Sequence, residues 1–469
     1  MTEEELAQSV FKAKPKLKDT IDGYGANTYA AYLKEKCPRA NQDIRDHFLD
    51  EIFFRAFNKI VERFFGPRFR AEAKEELTKT FFASTAEHGG ILCHPFFSDS
   101  FLSRALHTKT CNDELVLTLA CSGISLDNSS YARGLVFHDN ELNEVRLHIK
   151  SLKEQHSSVY VCQPYTKEDI LRVYSEIENS KLSPSQKKVL TSLVHNVFDR
   201  EDQYSLTTYD EQTIRPNWLL PKHIRGFEHL EHLFLSQELL VSELLQQHLH
   251  NNTFLTSLLL DPQTQKEYLE HFEGKTGAHN NTKGTFLFWG VSEKNVRIPL
   301  HYSADGWYTK EGNLFLKRDA ETILEALQQK RIFPCMALTF ITLSFVHQIT
   351  CSGGFSQINY LGELKDGHAK LSPSTVTDSI ATDIFTADIV LNTLEKDTIR
   401  VPATLLDIIL YQDDTTYARF IEATEQVTLK DAIWAMMPEY YKIITGESVD
   451  QTHFPLPPAT LHVKRDTYI

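Results

Sequence analysis

Residues 115–123, LVLTLACSG, form a short apolar run that ends at Ser122-Gly123 and is typical of a buried strand. Further strand candidates follow at 135–137, 146–150 and 159–162. Strands in such quick succession favour a mixed or antiparallel sheet over a regular alternation of strands and helices. The sequence therefore predicts an α+β protein.

Helical patterns surround these strands on both sides along the chain. Residues 1–80, 166–273 and 366–469 carry apolar residues at three- and four-residue spacing, whereas 274–365 contains further strand candidates and an apolar helix. We expect a large mixed or antiparallel sheet, formed by about 81–165 and 285–365, with helices around it. Residues 166–273 are expected to form a helical lobe, which gives five segments bounded at 80, 165, 273 and 365.

Length and charge restrict the class of protein and its partners. The chain has 469 residues, more than one compact core usually holds, and a net charge of −14. An acidic surface repels phosphate groups, so the sequence predicts neither a nucleic-acid partner nor an anionic membrane partner. The lysines at positions 12, 14, 16 and 18 are a local exception, which we interpret as a solvated, mobile N-terminal arm.

The cysteines and the apolar segments bear on the compartment. Seven scattered cysteines without CxxC spacing favour reduced thiols, and the acidic N-terminus lacks the apolar core of a secretory signal, so we expect a cytoplasmic protein. The apolar segment 332–349 has the length of a membrane span. It contains Pro334, His347 and several hydroxyl side chains, and we therefore interpret it as a buried helix.

The most unusual loop is EHGGILCHPFF at residues 87–97, because it places two histidines around two glycines and between aromatic pairs. Glycines let a ligand approach the backbone closely, and an imidazole in such a loop can transfer protons. We therefore predict His88 and His94 as catalytic candidates. The alternative is that each imidazole only binds a backbone carbonyl beneath the aromatic rings. Their spacing matches no metal motif, and the sequence predicts no metal site and indicates no particular cofactor.

A polar loop follows the buried strand and contains Asn128, Ser129 and Arg133. Asn128 and Ser129 offer neutral hydrogen-bonding groups, and a guanidinium suits carboxylate or phosphate. We predict Arg133 as a catalytic anion clamp and the other two as ligand-binding residues. A polar β-turn with Arg133 on the surface is the alternative interpretation.

A glycine-rich loop after the apolar segment reads CSGGFSQ, residues 351–357. Consecutive backbone N–H groups in such a loop can bind an anion. We therefore predict Gly353, Gly354 and Gln357 as ligand-binding residues, with a simple helix C-terminus as the alternative.

A pattern of Glu and His four residues apart occurs twice, in Glu228–His232 and Glu267–His271. The spacing differs from that of known dimetal bundles, and solvated faces of amphipathic helices are the better interpretation.

Two hypotheses for the function follow. The first is a cytoplasmic enzyme that acts on a small polar or anionic metabolite, with histidine acid–base chemistry and Arg133 as the anion clamp. The second is a binding or adaptor protein without catalytic activity, whose helical lobe presents a groove to a protein partner.

Overall fold

The computed structural model describes residues 2–37, 51–110, 115–279, 284–372, 380–449 and 454–463. Helices predominate, strands are short, and the two are mixed along the chain, which confirms the α+β class. The strands of the described residues are divided among five small sheets, where the sequence had predicted one large sheet. The division into five segments stays a prediction.

The described part of the chain contains the following helices and strands. The helices are α1 (Glu3–Ala13), α2 (Pro15–Tyr24), α3 (Tyr29–Lys36), α4 (Glu51–Phe65), α5 (Pro67–Thr80), α6 (Pro95–Thr110), α7 (Lys167–Asn179), α8 (Pro184–Val197), α9 (Glu201–Tyr204), α10 (Tyr209–Leu219), α11 (Gln237–Leu249), α12 (Phe254–Leu260), α13 (Pro262–Phe272), α14 (Ala320–Gln328), α15 (Met336–Phe340), α16 (Gln357–Leu371), α17 (Leu405–Tyr411), α18 (Thr416–Gln426), α19 (Leu429–Trp434) and α20 (Met437–Thr445). The strands are β1 (Phe82–Ser84), β2 (Leu115–Ala120), β3 (Gly134–His138), β4 (Glu144–His148), β5 (Glu231–Ser236), β6 (Phe288–Val291), β7 (Arg297–Pro299), β8 (His301–Ser303), β9 (Gly306–Tyr308), β10 (Leu314–Lys317), β11 (Ile332–Pro334), β12 (Thr350–Ser352), β13 (Thr393–Lys396), β14 (Ile399–Pro402) and β15 (Leu461–His462).

The largest sheet has four strands in the order β12-β1-β2-β5, and all of its neighbouring pairs are parallel. The mixed or antiparallel pairing expected from the sequence therefore does not apply to this sheet. From β1 the chain proceeds to β2 and β5 on one side, whereas β12 pairs with β1 on the other side. In open parallel sheets, ligands bind beyond the carboxyl ends of the strands, where the strand order changes direction. Here that position is the crevice between β1 and β12.

Strand β2 is buried on both faces, which explains its continuous apolar sequence. Leu115, Leu117 and Leu119 join an apolar core with α4 and α11. Val116 points to the opposite face and packs in a second core with α6. A parallel strand covered by helices on both sides favours apolar residues at nearly every position, not at alternate ones.

Four local predictions from the sequence are wrong. The strand expected at 159–162 is a 3₁₀ turn at Val159–Val161. The Leu-rich stretch that contains Glu228–His232 includes β5 before α11, so the predicted solvated helix face does not form there, and His232 is buried. The apolar segment 332–349 is buried but divided into β11, α15 and a π-helical turn at Ile341–Val346. The lysine-rich N-terminal segment is not a mobile arm, because α2 buries Leu17 and contacts α16 and α19.

Among the described helices, none combines the length and the apolar character that crossing a membrane requires.

Candidate functional site

A cavity of about 680 Å³ lies at the carboxyl edge of the four-stranded parallel sheet. Residues that follow each of the four strands line it: Thr85 after β1, Cys121 after β2, Gln237 after β5 and Gly354 after β12. Since the strands are parallel, their carboxyl ends meet at the same edge, and loops distant in sequence converge there.

Side-chain amides connect the ends of these strands. Gln237 Nε2 donates to the carbonyls of Thr85 and Leu119, at 3.1 and 2.7 Å. Gln357 Nε2 donates to Thr85 Oγ1 at 2.7 Å, and that hydroxyl donates to the carbonyl of Ser352 at 3.0 Å. These buried hydrogen bonds hold β1, β2 and β12 in a fixed relation at the cavity.

His88 lines the cavity, and its orientation is determined by the loop after β2. His88 Nδ1 lies 3.0 Å from Asn128 Oδ1 and 3.3 Å from Ser130 Oγ, and its ring lies 5.0 Å from the ring of Phe97. Asn128 Oδ1 also accepts a hydrogen bond from the Ser130 backbone N–H at 3.2 Å, which identifies it as an acceptor. His88 Nδ1 therefore carries the proton in the neutral ring, and Nε2 is the basic nitrogen.

Burial determines the charge of His88. It lowers the pKa of His88 to about 4, although the hydrogen bond to Asn128 acts in the opposite direction. The imidazole is therefore neutral at pH 7 and able to accept a proton or a hydrogen bond.

Glu238, near the start of α11, holds the loop after β2 in place. Its carboxylate accepts hydrogen bonds from the backbone N–H groups of Ser122 and Gly123 at 2.8 and 2.7 Å. The Cys121 thiol contacts the same carboxylate at 3.6 Å. Burial raises the pKa of Glu238, and burial together with the Glu238 charge raises that of Cys121 well above the value of a free thiol. Cys121 is therefore a protonated thiol and not a reactive thiolate.

A buried ion pair supports the loop that carries His88. Arg104 Nη2 lies 2.6 Å from Glu87 Oε1, and their side chains are only 4% and 0% exposed. Ser84 Oγ donates to the other Glu87 oxygen at 2.5 Å, and Arg104 Nη1 donates to the Leu117 carbonyl at 3.3 Å. The residue before His88 is thus anchored to both β1 and β2.

The structure brings five of the predicted site residues to this cavity: His88, Asn128, Ser129, Gly354 and Gln357. His94, Arg133 and Gly353 are not among the residues that line it.

His94 and Gly353 have structural contacts instead. The His94 ring lies against Phe96, 4.1 Å between ring centroids, and its Nδ1 accepts from the Phe96 backbone N–H at 3.4 Å. Burial lowers the pKa of His94 to about 3. Gly353 exchanges backbone hydrogen bonds with Ile384 and Thr386, at 3.0 and 2.9 Å. His94 thus packs on an aromatic ring and accepts from a backbone N–H, whereas the alternative interpretation had it bound to a backbone carbonyl, and its catalytic role stays a prediction.

The guanidinium at the cavity belongs to Arg297 and not to Arg133. Arg133 lies over the ring of Tyr131, with its guanidinium carbon 5.7 Å from the ring centroid. Arg297 lies over Trp289 at 4.8 Å, and its Nη1 donates to the Gly123 carbonyl at 2.9 Å. Arg133 is not among the residues that line this cavity, and the anion clamp expected at Arg133 stays a prediction.

Sequence reasoning missed Glu238, Gln237 and Asp388, all of which line the cavity. Ser236 directly before Gln237-Glu238 is a helix N-cap signal, and it would have indicated a strand-to-helix transition had β5 been recognised. No local pattern distinguishes Asp388.

Among the described residues, no group of three or more His, Cys, Asp or Glu side chains is arranged to hold a metal ion.

Comparison with protein-family models and with curated proteins finds no match for this chain.

Proposed function

We propose that this protein is an enzyme that binds a small polar metabolite in the cavity at the carboxyl edge of the parallel sheet, with His88 as the group that moves a proton. The contact between His88 Nδ1 and Asn128 Oδ1, 3.0 Å long and at the wall of the cavity, carries this proposal. Loops beyond the carboxyl ends of parallel strands are where such sites are usually built.

In this proposal His88 Nε2 accepts a proton from a hydroxyl or amine of the substrate, and the proton later returns to the product. Asn128 Oδ1 keeps the Nδ1 proton in place and stabilises the imidazolium while it exists. Because the pKa of His88 is about 4, the imidazolium is short-lived. His88 is therefore suited to accept a proton and return it quickly, and not to hold it between turnovers.

The neutral groups Gln357, Thr85 and Ser129 offer hydrogen bonds to a polar ligand, while aromatic residues such as Trp289 and Phe333 form apolar walls. A few polar groups within apolar walls are typical of small-molecule sites. Arg133 has no role in this proposal. We also propose a cytoplasmic location, because the six described cysteines form no disulfide bonds with one another.

The test is to incubate the pure protein with a metabolite extract and to follow depletion and formation of compounds by mass spectrometry. We expect a substrate–product pair with the wild type and its loss in His88→Gln. His195→Gln is the matched control, because His195 lies away from this cavity with a side chain that is 70% exposed. Turnover that survives in His88→Gln would contradict the assignment.

A binding or adaptor protein is the alternative. Within residues 166–273 the exposed large apolar side chains of the described residues are Leu171 and Val189. Single exposed apolar residues are common on monomeric proteins. The cavity therefore supports the enzyme more strongly than this helical segment supports an adaptor.

A further inference from the structure

Asp388 lies at the cavity in an unusual backbone conformation. Its φ is +59°, in the left-handed region that non-glycine residues rarely adopt. Such conformations persist where the surrounding structure holds them, and they concentrate at functional sites. The side chain lines the cavity and is half-buried.

Contacts to both the side chain and the backbone fix the position of Asp388. The Phe355 backbone N–H donates to Asp388 Oδ2 at 3.0 Å. Gly354 packs so closely that a Cβ on it would lie 1.8 Å from the same oxygen. The Tyr440 hydroxyl donates to the Asp388 carbonyl, and its ring stacks on Phe355 with centroids 4.3 Å apart. The carboxylate is therefore held rigidly before any ligand arrives.

Asp388 Oδ1 accepts no hydrogen bond from the described residues, and no cation among them lies within ion-pair distance of this carboxylate. The two cationic side chains that line the cavity are committed elsewhere. Lys275 Nζ donates to the Glu363 carbonyl at 2.7 Å, and Arg297 Nη1 donates to the Gly123 carbonyl. A carboxylate in a cavity without its own cation carries a desolvation cost that a cationic ligand offsets.

We propose that Asp388 binds a protonated amine of the ligand, so that the substrate class of this site is a small amine with an apolar or aromatic portion. This inference rests on the proposed ligand-binding function of the same cavity. The ammonium donates to Asp388 Oδ1, while the apolar portion packs on half-buried aromatic residues of the same cavity, such as Phe96 and Trp289. Burial raises the pKa of Asp388 to about 6, which still leaves it ionised at neutral pH, and the ammonium favours that ionised form further.

The test uses three probes of similar shape and different charge: phenethylamine, phenethyl alcohol and phenylacetate. Their affinities for the full chain are measured by ligand-observed NMR titration at neutral pH. We expect wild type to bind the amine at least about tenfold more tightly than either other probe, because a hydrogen bond between charged partners is stronger than one that involves a neutral partner.

Two variants separate the role of Asp388 from its effect on folding. Asp388→Asn retains an acceptor for the Phe355 N–H and a residue type that tolerates positive φ, and it should bind all three probes alike. Asp388→Gly relieves the backbone strain and should also lose the preference for the amine. Asp383→Asn is the control with the same change of charge, because Asp383 is exposed and pairs with Lys36.

The outcomes are distinguishable. Equal affinities of the three probes for wild type, or an amine preference that survives in both Asp388 variants, would overturn this inference and leave the ligand-binding cavity intact. Failure of wild type to bind phenethylamine would likewise overturn this inference, whereas the proposed function is decided separately by turnover of the metabolite extract.

Discussion

Replacing Gly354 with alanine tests the geometry at the wall of the cavity. The added Cβ would lie 1.8 Å from Asp388 Oδ2 and 2.6 Å from Asp388 Cγ, far below contact distance. The φ of Gly354 is not among the positive values, so alanine meets no backbone strain there, and the whole cost arises from the contact. Insertion of one methyl group into a packed site costs about 1–3 kcal/mol.

Gly362 provides a matched control within the adjoining helix α16. A Cβ at Gly362 would meet one atom within 4 Å, Thr382 Oγ1 at 3.7 Å, which is an ordinary contact. In a helix interior, glycine is about 0.5–1 kcal/mol less favourable than alanine, so Gly362→Ala should stabilise the protein by about that amount. The same substitution, eight positions away in sequence, should thus change the free energy of unfolding in the opposite direction.

The assay is urea unfolding of both variants and wild type, followed by tryptophan fluorescence. We expect the free energy of unfolding to fall for Gly354→Ala and to rise for Gly362→Ala. If Gly354→Ala were as stable as wild type, the close approach of Gly354 to the Asp388 carboxylate would be refuted, and with it the rigid placement on which the amine site depends.

Three further predictions concern charges near the cavity. Burial raises the pKa of Asp210 to about 7, and one of its oxygens has no hydrogen-bond partner among the described residues. Its contribution to stability is thus full below the pKa of an unfolded aspartate, about 4, and is lost as the pH rises toward neutrality. We therefore expect the free energy of unfolding of wild type, measured in urea relative to that of Asp210→Asn, to fall by up to about 4 kcal/mol between acidic and mildly alkaline pH. A difference between the two proteins that does not change with pH would contradict this prediction. Asn128→Asp should raise the pKa of His88, now about 4, by about 1–3, because a carboxylate replaces a neutral oxygen beside its Nδ1; an unchanged NMR titration would refute the contact. Arg104→Met should cost about 3–5 kcal/mol of unfolding free energy, because it leaves the buried Glu87 carboxylate unpaired. The double variant Arg104→Met with Glu87→Gln should recover most of that loss. If the double variant were as unstable as Arg104→Met alone, the result would argue against the ion pair.

Several features were predictable from the sequence because they depend on neighbouring residues. The apolar run at 115–121 indicated β2, and the alternating residues around 146–150 indicated β4. The loops that contain His88, Asn128 and Gly354 stood out by their mixture of glycine and polar side chains, and all three line the cavity. Composition and local pattern suffice for such features, since they reflect burial and turn chemistry over a few residues.

The prediction failed where a strand pairs with a distant segment. β5 lies in a Leu-rich stretch that also fits a helix, and its pairing with β2 joins residues more than a hundred positions apart. Parallel pairing needs such long connections, so the mixed or antiparallel arrangement inferred from closely spaced strands does not hold for this sheet. The position of Arg133 outside the lining of this cavity has a related cause, because the direction of a side chain in a loop depends on the surfaces against which the loop packs.

The amino-acid sequence alone determined the α+β class, the apolar β2 strand and the polar character of the loops after 87, 127 and 352. Only the tertiary structure decided that Thr85, Gln237 and Asp388 meet His88 at one cavity, and that Arg297 lies there in place of Arg133. The physical reason is that the parallel sheet brings together strand ends far apart in the chain, and the hydrogen bonds among these ends form only after the strands have paired.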